Sequence, residues 1–183
     1  MTKNSSHITL ILGGARSGKS SYAQSLAEES GKSVTFIATA QALDEEMSAR
    51  IQKDRAERPA HWETLEVPFD IASHVQDIKS DVVILDCMTL LISNLLIQFV
   101  EDDLVDETLF MPSVQKEVDE LLSAIREQNQ DWIIVSNEVG LGLVPPYPMG
   151  RVYRDALGWA NQRLAREADK VIFMVAGIPM VIK

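Results

Sequence analysis

An apolar run, Ile8-Thr9-Leu10-Ile11-Leu12, feeds directly into Gly13-Gly14-Ala15-Arg16-Ser17-Gly18-Lys19-Ser20, which matches the phosphate-loop pattern G-x-x-x-x-G-K-[ST] at every fixed position. The pattern needs a strand before it and a helix after it. The stretch Ser20 to Glu29 supplies the helix, with Tyr22, Leu26 and neighbouring alanines available to pack on a sheet. Glycines let successive backbone N–H groups turn inward around phosphates, where the positive end of the following helix adds to the field. On this reading Gly13, Gly14, Ala15, Arg16, Ser17, Gly18, Lys19 and Ser20 bind a nucleoside triphosphate. Lys19 reaches the β- and γ-phosphates, and Ser20 offers its hydroxyl to a magnesium ion.

Four further apolar, β-rich runs follow with helical segments between them: Val34–Ala38, Val82–Leu85, Trp132–Ser136 and Val171–Val175. Five strands separated by helices predict an α/β fold with a mostly parallel sheet covered on both faces. Val82-Val83-Ile84-Leu85 shows no alternation, which predicts a strand in the middle of the sheet. From Ser113 to Gln128, Val114, Val118, Leu121, Leu122 and Ile125 follow helical spacing, and Pro112 and Ser113 suit a helix start. Glu101–Glu107 reads as an acidic surface excursion, and Arg151–Asp169 as a helix. The tail Val171–Lys183 predicts a strand, a turn at Gly177-Ile178-Pro179 and a returning strand Met180–Ile182, an antiparallel hairpin at the sheet edge.

The chain has 183 residues, enough for one domain with a core on both sides of a sheet, so residues 1–183 are expected to form a single nucleotide-binding domain. One cysteine, Cys87, allows neither an internal disulfide framework nor a cysteine metal cluster, and fits a reducing cytoplasm. The polar stretch Met1 to His7 does not read as a secretory leader, and no apolar run approaches the ~20 residues that span a bilayer. The expectation is a cytoplasmic protein with no membrane partner. A net charge of −10 opposes binding to nucleic acid through the overall field, so a phosphate site must be built locally. Cations are grouped at Arg16 and Lys19, at Arg50, Lys53, Arg55 and Arg58, and at Arg151, Arg154, Arg163 and Arg166; each is also what a solvated helix face presents.

The buried strand ends in Asp86, four apolar residues followed by an acid. Ligands of open parallel sheets bind beyond the carboxyl ends of the strands, which places Asp86 near Lys19 and makes it the second magnesium-side residue beside Ser20. Thr89, Ser93 and Asn94 read as cap or surface groups. Asn137–Pro145 is a loop at a strand's carboxyl end, shaped either to meet a ligand or only to return the chain.

Several segments together carry a resemblance to a known family. They are Gly13–Ser20, Phe36-Ile37-Ala38-Thr39-Ala40, Asp44-Glu45-Glu46-Met47 with Arg50-Ile51, and Arg58-Pro59-Ala60-His61-Trp62-Glu63-Thr64-Leu65-Glu66. Leu85-Asp86-Cys87-Met88-Thr89-Leu90, Ser136-Asn137-Glu138-Val139-Gly140-Leu141-Gly142-Leu143-Val144-Pro145, Arg154-Asp155 with Asn161-Gln162-Arg163-Leu164, and Val175-Ala176-Gly177-Ile178-Pro179 continue it in order. Together they resemble the adenosylcobinamide kinase / adenosylcobinamide-phosphate guanylyltransferase family of cobalamin biosynthesis. The implied fold is a P-loop, RecA-like three-layer sandwich, and the implied assembly is a homotrimer.

The resemblance implies two reactions on one corrinoid. ATP or GTP phosphorylates the aminopropanol hydroxyl of adenosylcobinamide, and GTP then donates GMP to that phosphate. It implies Ala38, Thr39, Ala40, Arg55, Ala56, Glu57, Arg58, Glu66 and Asp86 as further nucleotide contacts, with Lys19 and Asp86 catalytic. At one position the chain departs from the pattern. The family's GMP-accepting histidine corresponds to Asp54 in Arg50-Ile51-Gln52-Lys53-Asp54-Arg55. A carboxylate brings negative charge toward a triphosphate and would form a reactive acyl-phosphate anhydride, so the second transfer is expected to be lost or slow. His61, beside Trp62, is a substitute nucleophile in a weaker context, and His7 and His74 are weaker still. A different small-molecule kinase on the same fold, or a nucleotide sensor, remains open.

Overall fold

The computed structural model describes residues 6–42, 44–56, 58–102 and 104–183, with the side chains of Glu46 and Arg50 excepted. In chain order these residues form β1 (His7–Gly13), α1 (Lys19–Glu29), β2 (Val34–Ala38), α2 (Glu45–Ala56), β3 (Glu63–Glu66), α3 (Ala72–Val75) and β4 (Val82–Asp86). Then come α4 (Met88–Ile97), β5 (Val100–Glu101), β6 (Leu104–Val105), α5 (Glu107–Arg126), β7 (Asp131–Val135), α6 (Pro148–Glu167), β8 (Lys170–Val175) and β9 (Ile178–Val181). Seven strands make one sheet in the order β3-β2-β4-β7-β1-β8-β9, and β5 and β6 pair separately. All neighbours in the large sheet run parallel except β8 and β9.

The core divides by the two-residue period of the strands. Val83 and Leu85 of β4 join Leu10, Ile37, Trp132 and Ile134 under α4, α5 and α6. Val82 and Ile84 join Ile11, Phe36, Ile133 and Val135 on the opposite face, which Ala23 and Ala27 of α1 cover. These apolar contacts leave helices on both faces, which is why interior strands such as β4 read as unbroken hydrophobic runs.

The five predicted parallel strands are present, and the structure adds or moves other elements. Helix α5 starts at Glu107, not at Pro112 or Ser113, because Asp106 caps it by accepting from Thr108 N at 3.0 Å. Pro112 lies inside the helix. The acidic stretch is a short hairpin, Val100–Glu101 with Leu104–Val105, that leads straight into α5. Helix α6 begins one turn earlier than the arginines suggested, with Pro148 in its first turn. The tail turns at Ala176-Gly177, both with positive φ, so Ile178 and Pro179 already belong to β9. Pro179 is tolerated there because β9 is the sheet edge. Strand β3 is unforeseen: Glu63-Thr64-Leu65-Glu66 is short and polar, as an edge strand can be. The middle position belongs to β7, with β4 one place beside it.

Candidate active site

The register brings Gly13, Ala38, Asp86, Val135 and Met174 to one end of the sheet. Between Gly13 and α1 the chain makes a tight loop with φ of +151° at Gly13, +56° at Arg16 and +92° at Gly18. A Cβ at Gly13 would stand 2.6 Å from the carbonyl oxygen of Met174, so only glycine lets the loop leave the strand here. Gly177 N, in the turn between β8 and β9, donates to Ser17 O at 3.0 Å and holds the loop from outside.

Lys19, the first residue of α1, is buried, and its ammonium donates to Gly14 O at 2.6 Å, within the loop itself. Loss of hydration lowers its pKa, while the nearby Cys87 and Asp86 work in the other direction. Asp86, at the end of β4, accepts a hydrogen bond from the Ser20 side chain; burial nevertheless raises the pKa of its carboxyl. The buried thiol of Cys87 is pushed up to about 11. Ser20 and Asp86 therefore offer two adjacent hard oxygen donors, the kind a magnesium ion takes alongside phosphate oxygens and water.

Two cavities meet over these residues. One, of about 630 Å3, is lined by Ala15–Ser21, Lys53, Asp54, Asp86, Cys87, Val135 and Asn137. The other, of about 200 Å3, lies between α1, β2 and α2, with Phe36, Ala38, Ala40, Met47, Ile51, Arg58 and Leu90 among its walls. Asp54 and Asp86 line both. The Arg58 guanidinium stacks 3.7 Å from the centre of the Phe36 ring. Burial lowers its pKa, and the charges of Asp86 and Asp54 oppose that shift.

The structure thus gathers Lys19, Ser20, Asp54, Arg58, Asp86, Ala38 and Ala40 around one connected space. Thr39 is turned away from it. Its hydroxyl donates to Cys87 O at 2.8 Å and accepts from Cys87 N at 2.9 Å, fastening β2 to the start of α4. Arg55 and Glu66 pair at 3.4 Å, and neither they nor Ala56 line the two cavities. Glu57 lies outside the described residues. His61 stacks edge-on against Trp62 and lines neither cavity.

Arg151 and Arg163 of α6 are engaged elsewhere. Arg163 binds Asp119 at 2.9 Å and Glu167 at 2.7 Å, and Arg151 donates to Pro145 O at 3.0 Å.

Two residues that read as cap or surface groups, Thr89 and Asn94, hold the site together, and so does Asn161 of α6. Thr89 Oγ1 accepts from Asn137 N at 2.9 Å, and Asn94 donates to Thr39 O at 2.8 Å and Pro68 O at 3.0 Å. Asn161 accepts from the Ser136 hydroxyl at 2.6 Å and donates to Asn137 O at 2.9 Å, so α6 fixes the loop after β7. Glu138 N donates to Gly13 O at 3.0 Å, tying that loop to the phosphate loop. A lone polar residue at helical spacing beside apolar ones was the only available signal, and it does not tell an inward amide from a surface one.

A parallel sheet with a glycine loop, a buried lysine and a strand-end acid at its carboxyl edge defines a P-loop nucleotide-binding protein of RecA-like architecture. The fold aligns with the RadB recombinase at a TM-score of 0.51 and 14% identity, over 93% of this chain and 74% of that one. It aligns with the flagellar accessory protein FlaH of Methanocaldococcus jannaschii at 0.50 and 16%, over 98% and 79%. The family described as cobinamide kinase / cobinamide phosphate guanyltransferase matches residues 9–182, and this chain belongs to it.

Its relatives include the bifunctional adenosylcobalamin biosynthesis protein CobP of Pseudomonas aeruginosa, 45% identical over 95% of this chain and 96% of that one. CobU of Escherichia coli, with the same description, is 39% identical over 95% and 98%. The family's proteins are bifunctional kinase and guanylyltransferase enzymes of cobalamin biosynthesis.

Proposed function

We propose that this chain phosphorylates the aminopropanol hydroxyl of adenosylcobinamide with ATP or GTP, and that transfer of GMP through a protein-bound intermediate is lost or slow. The observation that carries the first half is the convergence of Lys19, Ser20 and Asp86 on one cavity at the carboxyl edge of the sheet. The second half rests on Asp54 standing where the resemblance calls for a histidine.

The loop amides and Lys19 hold the β- and γ-phosphates, and Lys19 exchanges its bond to Gly14 O for a phosphate oxygen. Ser20 and Asp86 hold magnesium, which when bound offsets charge on the phosphate oxygens. The acceptor oxygen attacks the terminal phosphorus in line and the nucleoside diphosphate departs, with positioning and charge stabilisation supplying most of the rate. Arg58 on Phe36, with Ala38 and Ala40 opposite, forms the further nucleotide contact.

The corrinoid meets the loop after β7, whose Leu141 and Leu143 are 81% and 96% exposed although apolar, beside the exposed Val144 and Tyr147. Residues 1–183 act as one domain, in a homotrimer, in the cytoplasm. Among the described residues no helix is long and apolar enough to cross a membrane.

Incubation with adenosylcobinamide and ATP or GTP, with separation of the phosphate ester from the GDP adduct, tests this reading. The ester is expected, with little or no adduct. With GTP labelled at the α-phosphorus, no acid-labile label should remain on the protein, whereas Asp54→His should acquire it. Label on the unaltered chain refutes the loss of transfer, and absence of ester with either nucleotide refutes the kinase.

A further inference from the structure

Among the described residues, two carboxylates line the phosphate-loop cavity, Asp54 and Asp86, and their surroundings separate their tasks. Asp86 lies at the end of β4 and accepts the Ser20 hydroxyl. It belongs to the floor of the cavity, with Lys19 and the loop that receives the nucleotide. Asp54 lies on α2, exposed, in the wall that faces Ala15–Ser21 across the space. It also lines the adjoining cleft beneath Arg58 and Phe36. The phosphate loop and the ends of β4 and β7 form the other walls of this cavity, so Asp54 shares it with the residues that receive the terminal phosphate. Transfer of a phosphoryl group to an alcohol asks for a proton acceptor within reach of the entering hydroxyl.

We propose that Asp54 is the general base of the phosphoryl transfer, a catalytic residue in its own right and not merely the remnant of a nucleophile. As the acceptor oxygen bonds to the terminal phosphorus, its proton passes to the Asp54 carboxylate. The bond between that phosphorus and the bridging oxygen breaks, and the nucleoside diphosphate leaves with the electron pair. Burial is the main cause of the raised pKa of Asp86, and the charge of Asp54 adds to it, as expected of two carboxylates that line one cavity. The inference rests on the kinase reading above.

The test compares the unaltered protein with Asp54→Asn, Asp54→Glu and Asp54→Ala in ester formation from adenosylcobinamide and ATP, with ATP affinity measured separately by calorimetry. Asp54 is exposed, so these variants are expected to fold. Asp54→Asn should lower kcat by about 10²- to 10⁴-fold, the usual contribution of a general base, with ATP affinity and both KM values unchanged. Asp54→Glu should recover part of the loss, and formate should restore turnover to Asp54→Ala. An Asp54→Asn protein that keeps its kcat, or that loses activity only through weaker ATP binding, overturns the assignment. Should the unaltered protein form no ester, the kinase reading itself falls and the base falls with it.

Discussion

Thr39 shows how a side chain expected to meet nucleotide is engaged in holding the backbone together. The small-residue segment Ala38-Thr39-Ala40 marks the end of β2, and the resemblance makes all three nucleotide contacts. The alanines do line the cleft, but the Thr39 hydroxyl spends both its donor and its acceptor capacity on the Cys87 backbone. Thr39→Val keeps the shape and leaves Cys87 N and O without this partner. It should destabilise the chain by about 1–3 kcal/mol in chemical denaturation, the range for an orphaned buried polar group, whereas Thr39→Ser should lose much less. Lys19, Ser20 and Asp86 were legible because a short pattern fixes both their residue types and their place at a strand end. Thr39, Asn94 and Thr89 were not, because the direction of a polar side chain depends on which strand lies next to its own, and sequence spacing carries no such neighbour.

Elements with a strong period were legible in the same way, and their ends were not. Trp132–Val135 and Val82–Leu85 announce buried strands by apolar content alone. Pro112 looks like the start of helix α5, while the actual start is set by Asp106 and its bond to Thr108 N. Polar rivets then set how the elements sit. Asn161 bridges the Ser136 hydroxyl and Asn137 O, fixing α6 against the end of β7. Asn161→Ala removes both bonds at a residue that is only 5% exposed. A loss of about 1–3 kcal/mol in unfolding free energy is expected, with increased protease cleavage in the loop 137–147 as a second readout.

At the scale of the whole molecule, burial leaves a mark on how stability varies with pH. Glu117 of α5 accepts from the backbone N–H groups of Asp70 and Ile71, each at 3.0 Å, and so joins α5 to the turn before α3. Desolvation is the larger influence and raises its carboxyl above the ordinary value of 4.5. The folded chain therefore holds this proton more tightly than the unfolded chain does. The contribution of Glu117 is fullest below pH 4.5 and declines as pH rises through the raised value. Thermal unfolding followed from pH 4 to 7 should show a smaller decline in Glu117→Gln than in the unaltered chain, and an identical profile would refute the linkage.

The bond from Gly177 N to Ser17 O has a consequence for synthesis of the protein. A phosphate cradle takes its brace from a turn that follows it in the chain by well over a hundred residues. During translation, the early βα unit emerges long before its buttress. The bond between the two can form only once Gly177 has left the ribosome, so the loop is made unbraced and is braced last.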